Sequence, residues 1–465
     1  MNIVLIAADT LRADHLSCYG YKLKTSPNID ELASRGVLFE KVIAQNIPTH
    51  PGFTSIYTGV HGLVTGIVGQ GPAEYTQGRL SKRFSVLPEL LQRRGYVTAA
   101  VDNLSTEGKP WFSRGYDYYI RPRVGRGSNV TELATSWIKS HIHKKFFLFV
   151  HYWDTHAPYI APEHLRNRYY QGVKDDPKNR SMEAFKKSYI YHLIFRKFEM
   201  VYGKVTDINY IKAQYDSCVS SLDEEIGKIV EAVEETGKET AIILVSDHGE
   251  SLIEHDVYFD HTTLYESDIR VPLIIRCEDA LPSGKRIEAT VQNLDITPTI
   301  LELAGGTVPS YMEGSSLLPL ILGEKKEGCK DVVLTVSCWQ TSIGLRTGRW
   351  KFIRNLDPGF FQRKPRELYD LEKDPNEKKN LAEEKPDILD IMELRLARLT
   401  EAKIGKSPNP MRMQTQKTGA PAAWYMAETM RLMETFNLDW NEWIENSEKI
   451  MSLLRYIKLK KRQNA

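Results

Sequence analysis

The pair Asp247-His248 follows an apolar run at residues 241–246 and is itself followed by Gly249 and Glu250. A carboxylate and an imidazole at the end of a buried strand can bind a divalent metal together, and the glycine lets the chain turn sharply. Alone, Asp-His-Gly is also a common turn, so the metal reading needs partners. One candidate is the stretch 151–159, HYWDTHAPY, where Asp154 and His156 enter a non-helical loop marked by Pro158. His151 in that stretch reads as a packed strand histidine. His255 and His261 lie in a polar, aromatic loop before Leu264-Tyr265-Glu266. A hydroxyl stands at Thr49 within residues 46–59, NIPTHPGFTSIYTG. Thr49 is expected to N-cap a short helix, with Pro51 in its first turn, Phe53, Ile56 and Tyr57 at helical spacing, and Gly59 closing it. The free N–H groups of such a helix start suit an anion. A nucleophilic role for Thr49 competes there with plain capping.

These residues need a frame that gathers them. Apolar runs at 3–8, 97–101, 146–152, 241–246 and 273–275 predict strands, and helical patterns are predicted at 29–35, 86–94, 132–141 and 215–236. The alternation argues for an α/β domain with a largely parallel sheet. Ligands of such sheets gather at the carboxyl ends of the strands. Asp9, Asp102, Asn103, Asp154, His156, Asp247 and His248 all fall just beyond those ends.

The 465 residues divide into a catalytic domain at 1–324, a small α+β subdomain at 325–404, and a linker with a helical extension at 405–465. Residues 160–212, rich in Tyr, Arg and Lys, interrupt the alternation as an insertion or cap. Net charge is +2, so nothing calls for a nucleic-acid or membrane partner, and the basic run 458–462 reads as a solvated end. Five cysteines without zinc spacing suit free thiols in a reducing compartment. The first apolar run is too short to span a membrane and lacks a basic flank, which predicts a cytoplasmic protein. Trp424, Met426, Met430, Met433, Trp440, Trp443, Ile444, Met451 and Leu454 give the extension an apolar face. That face predicts exchange between subunits of a homo-oligomer, with self-docking nearly as well supported.

In their order, these pieces resemble the sulfatase-like branch of the alkaline phosphatase superfamily. The stretches that carry the resemblance are 9–16 (DTLRADHL), 25–36 (TSPNIDELASRG), 49–59, His61-Gly62, 154–159, 247–255, 264–272, 295–305 (DITPTILELAG) and 367–381 (ELYDLEKDPNEKKNL). The resemblance spans roughly residues 1–385 and implies an alkaline-phosphatase-like sandwich with a mostly parallel central sheet and a small C-terminal subdomain. The departures bear on activity. Sulfatases carry a Cys or Ser, matured to formylglycine, where this chain has Thr49, and an Arg where it has Phe53. Thr cannot yield the aldehyde. The usual paired aspartates are Asp9 and Thr10, the sulfatase lysine aligns with His261, and Val101-Asp102-Asn103-Leu104 has no Lys-x-His pair.

The resemblance implies a metal-dependent ester hydrolase acting on a small molecule. Asp9, Asp247, His248 and Thr49 would hold one divalent ion, which could be Zn, Mn, Mg or Ca, and the ion would activate the Thr49 hydroxyl. His156 and His261, with Asp154, would hold a second ion, or the two histidines would protonate the leaving alkoxide. Thr10 and Asn103 are the pocket candidates. The residue types favour phosphoric or phosphonic esters cleaved through a Thr49 intermediate. Sulfuric esters attacked by unmodified Thr49 are the alternative, and transfer of the group to an acceptor alcohol ranks third. A non-catalytic scaffold conflicts with intact Asp9, Thr49, Asp247 and His248.

Overall fold

A computed structural model describes the chain except residues 72–77, 108, 124–125, 189–190, 192–194, 436, 439–441 and 443–465. Fourteen strands are described: β1 Asn2–Ala8, β2 Val37–Ile43, β3 Asn46–Ile47, β4 Val97–Val101, β5 Tyr118–Ile120, β6 Phe146–Tyr152, β7 Thr240–Val245, β8 Arg270–Val271, β9 Leu273–Arg276, β10 Lys285–Gln292, β11 Val332–Ser337, β12 Thr341–Arg346, β13 Trp350–Asp357 and β14 Arg366–Asp370. The large sheet runs β10-β2-β9-β7-β1-β6-β4-β5, with β8 on β2. β1 lies parallel between β6 and β7, and only the β9 and β8 pairings are antiparallel. All seven residues of β1 are buried, as a strand covered on both faces requires. One apolar cluster, with Phe53, Ile56 and Tyr57, fills one face of the sheet. Another, built on the helix Ile208–Glu234 and Trp137, fills the other. This is the α/β sandwich with a mostly parallel sheet that the sequence predicts. The expected strands all form. β2 and β10 are additions, since charged residues such as Glu40, Lys41 and Glu288 interrupt their apolar pattern.

The second sheet, β14-β13-β12-β11-β3, is antiparallel except where β11 takes β3 from just before Thr49. The C-terminal subdomain is therefore stitched to the residue pair that leads into the threonine helix. Buried ion pairs add to the junction. Lys351 Nζ sits 2.9 Å from Glu266 and 2.6 Å from Glu377, and Arg346 binds Glu266 at 2.9 Å.

The stretch 405–419 is not an extended linker. Asn409 caps a helix, Pro410–Lys417, by accepting from the N–H groups of Met411 and Arg412, and Met411 is fully buried. The next helix, Pro421–Thr435, buries Met426 and Met433, and Ala422 N donates to the Cys338 carbonyl. The extension thus docks on its own subdomain as far as residue 435, because its apolar side chains find cover there. Trp440, Trp443, Ile444, Met451 and Leu454 lie outside the described residues. No helix among the described residues is long and apolar enough to cross a membrane.

Candidate active site

β1, β6 and β7 are parallel neighbours, so their carboxyl ends open side by side and deliver Asp9, Thr155 and His156, and Asp247-His248 to one place. Asp9, Asp247 and His248 each offer a ligand atom within 4.8 Å of the others, and all three are completely buried. His248 Nδ1–H donates to the Gly249 carbonyl at 2.9 Å, which leaves the Nε2 lone pair facing Asp247 Oδ2 at 3.1 Å. Gly249 is needed for a close approach: a Cβ there would come within 2.0 Å of the Ser267 carbonyl. Asn293 Nδ2 fixes the turn by donating to the carbonyls of Ser246 and Asp247.

Among the described residues, both oxygens of Asp9 and both of Asp247 lack a hydrogen-bond partner. Two buried carboxylates and an imidazole lone pair pointing at one another repel, and isolation of such charge from water is costly. A divalent cation removes that repulsion, so the residues fit a metal. The titration directions agree. Burial, reinforced by the charge of Asp9, pushes Asp247 well above the carboxylate range. Burial would also raise Asp9, but its neighbours His151 and His248 override this and hold it below the range. Burial and His261 lower His248 to about 3, keeping it in the neutral, ligating form.

Thr49 does not cap its helix. Pro48 occupies the N-cap, Thr49 opens the helix Thr49–Thr58, and Gly59 closes it with φ 64°. Freed from capping, Thr49 Oγ1 lies 3.2 Å from His248 Nε2 and is buried beside the cluster. Gly52, one turn on, lets the helix approach; its Cβ position is 3.3 Å from Asp247 Cβ.

His261 stacks on His248 with ring centroids 4.5 Å apart, and His156 stands edge-on to His261 at 5.0 Å. His156 Nδ1 donates to the Ala157 carbonyl at 2.7 Å and His261 Nδ1 faces buried Glu250 at 3.3 Å, so each ring turns Nε2 away from its tether. Asp154 is not brought to this group. It turns back to the start of the helix Gly127–Ser140, where it accepts from Gly127 N at 3.1 Å, and burial raises it to about 6. Gly127 is its close neighbour, with no room for a Cβ. Thr10 adopts φ 59° and spends its hydroxyl on the Asp9 carbonyl at 2.7 Å. Asn103 is half-buried beyond β4.

His151 is buried, as a packed strand histidine would be, yet it also joins the site. Its Nδ1 binds Asp102 at 2.8 Å, its Nε2 comes 3.7 Å from Asp9, and the pair of carboxylates outweighs burial to raise it to about 9. Phe53 packs edge-on against it at 4.6 Å. Thr155 donates to the Asp9 carbonyl at 2.5 Å. The sequence signal for His151 and Asp102 is their place at neighbouring strand ends; only the β4–β6 pairing brings them face to face.

Comparison with known proteins gives the lineage. Residues 1–306 match the family described as Sulfatase, and residues 254–403 match the N-sulphoglucosamine sulphohydrolase C-terminal family. An N-acetylglucosamine-6-O-sulfatase of Bacteroides thetaiotaomicron is 24% identical over 82% of this chain and 82% of its own. The multifunctional alkaline phosphatase superfamily protein PehA of Trinickia caryophylli is 26% identical over 69% of this chain and 77% of its own. The phosphonate monoester hydrolase structure from Agrobacterium radiobacter superposes with a TM-score of 0.69 at 21% identity, covering 86% of this chain and 96% of that one. The chain belongs to the sulfatase family, within the alkaline phosphatase superfamily of ester hydrolases.

Proposed function

We propose that the chain hydrolyses sulfuric esters of a small-molecule alcohol with unmodified Thr49 as the nucleophile. The observation that carries the reading is the Thr49 hydroxyl, 3.2 Å from His248 Nε2 at the edge of a buried Asp9–Asp247–His248 cluster with unpartnered carboxylate oxygens. A divalent ion held by those three residues supplies Lewis-acid stabilisation and lowers the pKa of a nearby hydroxyl. Thr49 Oγ1, its hydroxyl proton released to solvent, forms the bond to sulfur as the bond from sulfur to the alkoxide breaks. In its imidazolium form either His156 or His261, whose Nε2 is left by its Nδ1 tether, gives the Nε2 proton to the departing alkoxide. Water then releases the group from Thr49.

The sulfate assignment is supported by the family and by relatives named as sulfatases. It reverses the order expected from residue types alone, which places phosphoric and phosphonic esters first. Those esters stay as the second reading, favoured by Thr49 and Phe53 at the positions of the formylglycine precursor and its arginine and by the likeness to phosphonate monoester hydrolases. Parallel kcat/KM measurements on one aryl alcohol as its sulfate, phosphodiester, phosphonate monoester and phosphomonoester decide between them. The sulfate is expected to be the best substrate; a phosphonate or phosphodiester turned over at least tenfold faster would install the second reading.

A further inference from the structure

Glu250 and His261 face each other by register. Ser251 N donates to the Asp260 carbonyl at 2.8 Å, and Asp260 N donates back to the Ser251 carbonyl at 3.1 Å, which makes an isolated antiparallel bridge. The next residues along such a bridge stand directly opposite each other, and on one side these are Glu250 and His261. The Glu250 backbone is held from two directions. Its N–H donates to the Ser267 carbonyl at 3.1 Å, and its carbonyl accepts from Arg12 Nη1 at 2.9 Å. Arg12 is itself fixed by Asp14 and Glu254, each at 2.7 Å. The Glu250 side chain is fully buried, and its Oε2 meets His261 Nδ1 at 3.3 Å.

That contact settles what stacking leaves open. The His248 ring fixes the plane of His261, with 21° between the planes and 4.5 Å between the centroids. A half-turn of the imidazole keeps this plane but exchanges nitrogen for carbon along each edge. A partner at Nδ1 removes the choice, and Glu250 is that partner. His156 is tethered differently. Its Nδ1 meets the Ala157 carbonyl, which can only accept, so the neutral ring carries its hydrogen on Nδ1 and a lone pair on Nε2. A carboxyl group can either accept from Nδ1–H or donate its O–H to the Nδ1 lone pair. With one proton between its members, the Glu250–His261 pair bears a hydrogen on Nε2 in both arrangements.

We infer that Glu250 is a positioning residue that acts through His261: it holds the ring with Nε2–H at the leaving oxygen and so makes His261, rather than His156, the proton donor. The assignment rests on the ester cleavage proposed above. In the step, the Nε2–H bond breaks as the O–H bond of the departing alcohol forms, and Nδ1 keeps or takes the proton shared with Glu250. The test is the ratio of kcat/KM for a phenethyl ester, whose alkoxide needs a proton, to that for the para-nitrophenyl ester, whose phenolate leaves without one. Both esters are of the class that the wild type prefers, and metal content is matched between variants. Glu250→Leu should lower the ratio roughly tenfold or more, and Glu250→Gln, whose amide still holds Nδ1, should lower it less than about threefold. Glu250→Met makes the same comparison if Leu fails to fold. In a His261→Ala background, Glu250→Leu should lower the ratio no further. An unchanged ratio in Glu250→Leu, an equal loss in Glu250→Gln, or a further loss in the double variant would overturn the role of Glu250 alone. A wild type that cleaves no ester of any class would overturn the hydrolysis itself, and the positioning role with it.

Discussion

At the scale of the residue, the site turns on unpaired charge. Among the described residues no group donates a hydrogen bond to the carboxylate oxygens of Asp9 and Asp247, and with only His151 Nε2 at 3.7 Å from Asp9 the two buried acids face each other in a repulsion that a cation relieves. A saturating divalent ion should therefore raise the melting temperature of the wild type, by linkage of about 3 kcal/mol at a hundredfold excess over Kd. Asp9→Asn and Asp247→Asn should each abolish that rise and lower the bound-metal stoichiometry, while the metal-free variants melt no lower than the metal-free wild type. Scanning calorimetry with and without chelator measures both effects, and a variant that keeps the full metal-induced rise identifies a residue that is not a ligand. Asp9, Asp247 and His248 are legible at the strand ends because that position can be read from apolar runs, whereas Thr49, a helix start, joins them only through the family resemblance. The direction of Asp154 is not. Its loop residue type suits a ligand, but where the side chain points depends on the neighbouring helix start at Gly127, which no local pattern announces.

At the scale of the element, the helix that begins at Thr49 is anchored through the turn beyond its C-terminus. His61 Nε2–H donates to the Val333 carbonyl at 2.9 Å, while Nδ1 accepts from Leu63 N at 3.1 Å. Protonation would set an N–H against an N–H. Burial, aided by Lys403, accordingly depresses the ring to about 4. The unfolded chain takes up this proton near the ordinary pKa of about 6.5, before the folded one does, so the His61 contribution is complete above that value and is lost as pH falls toward 4. The expected loss is roughly 3 kcal/mol across the window. His61→Gln should remove that share of the pH dependence in urea denaturation series; an unchanged slope between pH 4 and 6.5 would mean that the ring is protonated in the fold. The helix pattern itself is readable from residues 46–59, but residue type puts its start one position late. Thr is a better cap than Pro by type, and only the backbone path through Pro48 places Thr49 inside the helix with its hydroxyl free.

At the scale of the molecule, two sheets must stay in register for the site to stay whole. β3 belongs to the second sheet and leads straight into Thr49, and the Lys351 cluster joins that sheet to Glu266, shortly after His261. Lys351→Met leaves Glu377 and Glu266 short of a cation in the interior, which should cost about 3–5 kcal/mol and lower the unfolding midpoint in denaturant. A midpoint within experimental error of wild type would show that the junction does not depend on this charge. The parallel sheet is visible in the sequence, since the alternation of apolar runs with helical patterns survives without tertiary knowledge, and a small subdomain after residue 324 is expected from it too. The exchange of β3 between sheets is not visible, because two residues carry no period. Nor is the docking of residues 405–435, where Pro, Gly, Lys and Gln suggest a linker and burial of Met411 and Met426 decides otherwise.

The proposed chemistry depends on Thr49, and the most direct measurement of it is kcat/KM on the preferred aryl ester for wild type, Thr49→Ser and Thr49→Ala at full metal occupancy. Since the side chain makes no cap, both variants should keep the fold within about 1–2 kcal/mol. Thr49→Ser retains the hydroxyl and should keep substantial activity, whereas Thr49→Ala should lose roughly 10⁴-fold or more, as removal of a nucleophile does. A folded, metal-loaded Thr49→Ala protein working near the wild-type rate would contradict the assignment of Thr49 as the attacking group.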